Sequence, residues 1–101
     1  MNIINQNIEA INELCRTHKV KELYAFGSVT DENKFNEKSD VDLLVDFQEF
    51  PIEMYASNYF EFIDELEKLF QRPVDLLTKN SLHNRFLIMK LNESKKEIYC
   101  A

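Results

Sequence analysis

Apolar positions up to His18 recur at helical spacing. Ile4, Ile8, Ile11 and Leu14 with Cys15 predict a first amphipathic helix that ends near His18. Leu23-Tyr24-Ala25-Phe26 reads as a short buried strand, closed by Gly27, the only glycine in the chain. Thr30 to Ser39 is polar and turn-rich, with Phe35 as its lone apolar anchor. The next segment alternates cleanly: Val41, Leu43, Val45 and Phe47 form an apolar face, and Asp40, Asp42 and Asp46 fall on the other, interrupted only by Leu44. Pro51 fits the first turn of a long helix running through Tyr55, Tyr59, Phe62, Ile63, Leu66 and Leu69. Pro73 restarts the chain in extended form as the strand Val74-Asp75-Leu76-Leu77, and Asn80 or Ser81 is placed to cap a following helical region. Phe86 to Tyr99, with Leu87, Ile88, Leu91 and Ile98, reads as one helix or two short ones.

The order α-β-loop-β-α-β-α predicts an α/β fold: a small mixed sheet of three to four strands with helices on one face. No linker, repeat or low-complexity stretch divides the chain, so residues 1–101 are expected to form a single domain.

Composition narrows the function. A net charge of -6 gives no basic face to displace counterions, so direct, sequence-independent nucleic-acid binding is not expected. Bound metal ions would still allow a nucleotide to bind, because they bring their own positive charge. The apolar runs are too short for a membrane span. Cys15 and Cys100 are isolated thiols near opposite ends with no secretory leader, the pattern of a reducing cytoplasm. With only His18 and His83 present, a His/Cys zinc site is not expected either.

The candidate chemistry lies at two corners. Gly27-Ser28 closes a strand, and such a corner lets backbone N–H groups approach phosphate oxygens. After eleven intervening residues, Asp40-Val41-Asp42 opens the next strand with two carboxylates on one face, about 7 Å apart along the chain. Asp75 repeats that logic between Val74 and Leu76; if the apolar faces share one core, it joins Asp40 and Asp42 on the open face. Carboxylate oxygens suit hard cations, Mg²⁺ above all. Three of them over one face suit two ions about 4 Å apart, which can hold a nucleoside triphosphate and activate a hydroxyl.

Gly27-Ser28, Asp40-Val41-Asp42 and Asp75 together resemble the nucleotidyltransferase superfamily that includes DNA polymerase beta, and within it the minimal nucleotidyltransferase (MNT-domain) branch. The resemblance covers nearly the whole chain, including helix order and length. It implies that Gly27 and Ser28 hold the distal phosphates of ATP. It also implies that Asp40 and Asp42 bind two Mg²⁺ ions, and that Asp75 binds the catalytic one and helps to deprotonate the acceptor. Small members of this branch act as antitoxins that transfer AMP to a tyrosine of a HEPN-domain ribonuclease toxin, so a helical HEPN-type partner is the implied acceptor. The chain departs from the branch in two ways. The spacing to the aspartates is one residue longer, and Val29, Thr30, Asp31 and Glu32 stand where many members carry an arginine.

Two other functions compete with this one. One is an antitoxin that neutralises its partner by binding alone, and the other is a small-molecule nucleotidyltransferase working with a helical subunit. Outside the constellation, Asp46 is expected to be solvated, and His83 and Tyr99 to serve surface and packing roles. Tyr55, Tyr59, Phe60 and Phe62 are expected to divide between the core and a partner surface.

Overall fold

The computed structural model describes residues 1–101. In chain order its elements are α1 (Asn2–Gln6), α2 (Ile8–Thr17), β1 (Val20–Phe26), a 3-10 turn over Gly27–Thr30 and β2 (Val41–Phe47). They continue with a 3-10 turn over Ile52–Met54, α3 (Tyr55–Phe70), β3 (Val74–Thr78), a third 3-10 turn over Lys79–Ser81, α4 (Arg85–Ser94) and β4 (Lys96–Cys100). The four strands form one mixed sheet in the order β3-β2-β1-β4. β1 is antiparallel to both neighbours, and β2 and β3 are parallel.

The core follows from the alternation in the strands. Leu23 and Ala25 of β1, Val41, Leu43 and Val45 of β2, and Val74 and Leu76 of β3 are buried on one face. Ile11 and Cys15 of α2 and Phe62, Leu66 and Phe70 of α3 pack against that face, with Ile4 of α1 completing the cluster. The expected helix layer on one face is therefore α1 to α3. α4 lies on the other face, where Leu44 (5% exposed) and Leu91 (2% exposed) are buried outside the main cluster and share a small cavity.

Several predicted boundaries move, each for a local reason. The first helix breaks at Asn7, whose side-chain amide donates to the Ile3 carbonyl at 2.8 Å and so competes with the helical ladder. Pro51 sits outside the long helix: its carbonyl closes the 3-10 turn by accepting from Met54 N–H, and α3 begins at Tyr55. Neither Asn80 nor Ser81 caps α4. Asn84 does, its Oδ1 accepting from Phe86 N–H at 2.9 Å and Leu87 N–H at 3.3 Å. The segment expected to be helical to Tyr99 instead leaves α4 after Ser94 and returns as the edge strand β4 against β1. Having spent its one glycine elsewhere, the chain leaves α2 and α3 through left-handed non-glycine residues, Lys19 (φ 59) and Gln71 (φ 58).

Candidate active site

The glycine–serine corner is shaped by three local forces. Phe26 leaves β1 extended, and Gly27 then adopts φ +70, a left-handed conformation that a Cβ penalises. Thr30 Oγ1 donates to the Gly27 carbonyl at 2.7 Å, and Asp31 N–H donates to the Ser28 carbonyl at 3.0 Å. Val29, 1% exposed, pins the turn to the core. The position also has no room for a side chain, because a Cβ on Gly27 would lie 2.6 Å from Asp42 Oδ2. The corner and the second aspartate are therefore in contact.

Asp42 sits in the middle of the sheet, paired with Phe26 on β1 and with Asp75 on β3. Because Val41 and Leu43 are buried, Asp42 points to the opposite face. Asp75, exposed between buried Val74 and Leu76, falls on that same face by its parallel register. The ladder begins where Val41 N–H donates to the Pro73 carbonyl at 3.1 Å, which sets Asp40 at the mouth of β2. The Asp42 carboxyl is pushed above its ordinary value, first by burial and then by the charges of Asp75 and Asp40. Asp42 and Asp75 thus adjoin one another on one sheet face with Gly27 against Asp42, while Ser28 follows Gly27 in the turn and Asp40 precedes β2.

The fit to hard cations rests on the donors themselves. Asp40, Asp42 and Asp75 accept no hydrogen bond from the protein and form no ion pair, so none of the three has a counter-charge from the protein. Divalent cations ligated by oxygen match that set. The side chains were expected to converge on one shared position, but in the conformations present no three such groups do so. Like charges on neighbouring strands favour splayed rotamers, so the backbone supplies the adjacency and the side chains do not close on their own.

Two features escaped the sequence. Arg72 Nη1 donates to the carbonyls of Asn36 and Ser39, both at 3.0 Å, and its guanidinium lies 4.6 Å over the Phe35 ring. It therefore fastens the long 31–39 loop that delivers Asp40, although its own Nε is buried without a partner. Asp46, expected in solvent, is 18% exposed and lies 4.0 Å from Lys79 Nζ, at the other end of β2. It lines a separate cavity of about 360 Å³ with Phe50, Tyr55 and Lys79, away from Gly27 and Asp42. Of the aromatic set, Phe62 is core, Tyr55 and Tyr59 are half-buried, and Phe60 is exposed.

Comparison with known proteins bears on this geometry. The profile described as nucleotidyltransferase domain matches residues 8–98. A candidate protein adenylyltransferase of Methanocaldococcus jannaschii is 34% identical over 96 residues, covering 87% of this chain and 94% of that protein. The protein adenylyltransferase MntA of Thermococcus cleftensis is 36% identical over 83 residues, covering 74% of this chain and 80% of its own. Among solved structures, a candidate minimal nucleotidyltransferase aligns with a TM-score of 0.75 at 27% identity, over 92% of this chain and 90% of that one. A complex of the tri-AMPylated Shewanella oneidensis HEPN toxin with its MNT antitoxin also contains the fold. It aligns with a TM-score of 0.66 at 20% identity, over 96% of this chain and 72% of that one.

Proposed function

Because the chain belongs to the nucleotidyltransferase domain family, we propose that it is a Mg²⁺-dependent protein adenylyltransferase. It would transfer AMP from ATP to a tyrosine hydroxyl of a HEPN-type toxin and serve as that toxin's antitoxin. The observation that carries this reading is the register of Asp42 against Asp75, with the Gly27 backbone in contact with the Asp42 carboxylate. Protein adenylyltransferases among its relatives, and an AMPylated toxin in complex with a protein of the same fold, support the acceptor class.

In this reading Gly27 and Ser28 hold the distal phosphates, because only a residue without Cβ lets backbone and phosphate share the space beside Asp42. Asp40, Asp42 and Asp75 would hold Mg²⁺, which when bound supplies positive charge to the triphosphate and acidifies the acceptor hydroxyl. The acceptor oxygen forms a bond to the α-phosphorus as the bond to pyrophosphate breaks. The hydroxyl proton passes to a carboxylate, a role assigned to Asp75, which is exposed on β3 beside Asp42. Exposed Ile52, Met54 and Phe60 on one side, and Phe86 and Met89 on α4, are consistent with a protein partner.

The test is incubation of the protein with labelled ATP, Mg²⁺ and the candidate toxin. Label is expected on a toxin tyrosine, lost on chelation and lost in Asp40→Asn, Asp42→Asn and Asp75→Asn. The binding-only reading draws on one observation, the lack of any cation between Ser28 and Lys34. It predicts tight association without label, and toxin neutralisation that survives all three substitutions.

A further inference from the structure

We propose, resting on the reading of the chain as an ATP-using enzyme, that Lys95 binds the triphosphate of the nucleotide and supplies the positive charge missing beside Gly27-Ser28. That corner is short of charge: Val29 is buried, Thr30, Asp31 and Glu32 follow it, and Lys34 is the first cation after the serine. Two of those residues are acids, and neither brings positive charge to a ligand that carries several negative charges. Beyond the charge that Mg²⁺ would bring, a side-chain cation for the distal phosphates has to come from elsewhere in the fold.

The sheet order says from which side. Asp75 lies on β3, Asp42 on β2, the glycine corner at the end of β1, and β4 comes next. A triphosphate with its α-phosphate at the aspartates and its distal phosphates at Gly27-Ser28 runs across the strands toward β4. β4 begins opposite Ala25, two residues before Gly27, through the pair Ala25 with Lys96. α4 ends immediately before it and lies alongside the Gly27–Thr30 turn.

Lys95 is the residue at that junction. Its Nζ sits 4.6 Å from the centroid of the Tyr24 ring. Tyr24 shares the face of Phe26, and it pairs with Leu44, two residues along β2 from Asp42. The ammonium is therefore held on a ring of the aspartate face, and the Tyr24–Leu44 pair is one side-chain row, about 7 Å along the strand, from the Phe26–Asp42 pair. A lysine stem spans such a gap by changing rotamer. Lys95 is half-buried, with its stem along the cavity lined by Leu44, Ile88 and Leu91, and it makes no ion pair. Of the cations near this face, Lys79 is committed to Asp46 and Arg72 to the carbonyls of Asn36 and Ser39, whereas Lys95 rests on a ring of the face itself. A cation resting on an aromatic ring, with no carboxylate partner, can be recruited by an arriving phosphate at little expense.

The experiment is calorimetric titration of ATP and of AMP, in Mg²⁺, into the wild type, Lys95→Gln and Lys95→Arg, with melting temperatures measured alongside. Lys95→Gln is expected to weaken ATP binding about tenfold or more and to leave AMP within about twofold, as for loss of one charge-assisted contact to the distal phosphates. Lys95→Arg is expected to keep most of the preference for ATP over AMP. If Lys95→Gln melts well below the wild type, Lys95→Met preserves the apolar stem and is read by the same ratio. ATP binding unchanged in Lys95→Gln, or equal losses for ATP and AMP, would overturn the proposal. A wild type that binds no nucleoside triphosphate would overturn the enzyme reading beneath it as well.

Discussion

Replacing Gly27 with alanine separates two things that this one residue does. The first is conformational: at φ +70 an alanine costs about 1–2 kcal/mol relative to glycine. The second is contact, since the new Cβ meets Asp42 Oδ2 at 2.6 Å, and the carboxylate must rotate away. Rotating a free carboxylate is cheap in stability, on the order of 0.5–1 kcal/mol for an off-rotamer side chain. In function it is expensive, because it turns a proposed metal ligand out of place. For a chain of 101 residues, the two parts together, about 1.5–3 kcal/mol, lower the melting temperature by roughly 7–14 °C. Gly27→Ala is therefore expected to melt that much lower and to lose nucleotidyl transfer at a temperature where it is still fully folded. In an Asp42→Ala background the contact term disappears, and Gly27→Ala should then cost only its conformational part. The four proteins of this cycle, melted by circular dichroism, isolate a coupling of about 0.5–1 kcal/mol. A Gly27→Ala protein that melts with the wild type and stays active would refute both parts of the argument.

Three further outcomes are expected. In metal-free buffer Asp42 should make stability depend on pH. Its carboxyl is raised above 3.8 by burial and by Asp75 and Asp40, so its contribution is full below that value and is lost as pH rises through the higher folded value. The wild type should therefore gain stability relative to Asp42→Asn as pH falls from neutral into that window, and parallel melting curves for the two proteins would contradict this. Arg72→Met should cost about 1–3 kcal/mol through two charge-assisted hydrogen bonds and one ring contact. Amide exchange should rise within residues 31–39; protection there equal to the wild type would show that the loop is held by something else. With a thiol alkylating agent under native conditions, Cys100 should be labelled and Cys15 spared, since burial raises the Cys15 thiol to about 12. Peptide mass spectrometry reads the two sites, and comparable rates would mean that Cys15 is not held in the core.

The central half of the molecule was legible because burial there imposes a strict period. Val41, Leu43 and Val45 alternate with Asp42 and Asp46, and the burial of β2 follows that alternation except at buried Leu44 and half-buried Phe47. Gly27 was legible for a different reason: as the only glycine in the chain, it marked a demanding backbone position at the end of a strand, and it is left-handed there. β4 was not legible. An edge strand that half-buries only Ile98 and Tyr99 between Glu97 and Cys100 carries no clean alternation, and its apolar residues extend the helical spacing of Leu87, Ile88 and Leu91. Arg72 was hidden because its partners are carbonyl groups of Asn36 and Ser39, which no side-chain pattern reports.

Leu44 is where the sequence held more than its reading drew out. An apolar residue between Asp42 and Asp46 has no reason to exist on a face open to water, and at 5% exposure it is not open to water. It marks a second, smaller layer: Leu91 at 2% exposed and half-buried Ile88 bring α4 onto the aspartate face, far enough along β2 to leave Asp42 uncovered. That placement has a consequence for chemistry. A helix docked on Leu44 must hand the chain back to the sheet edge beside β1, and the residue at the hand-over is Lys95, over Tyr24. One buried leucine on the wrong face thus fixes where α4 lies. α4 in turn decides which lysine can reach a phosphate held by Gly27-Ser28, in a sequence whose serine is followed by acids instead of a cation.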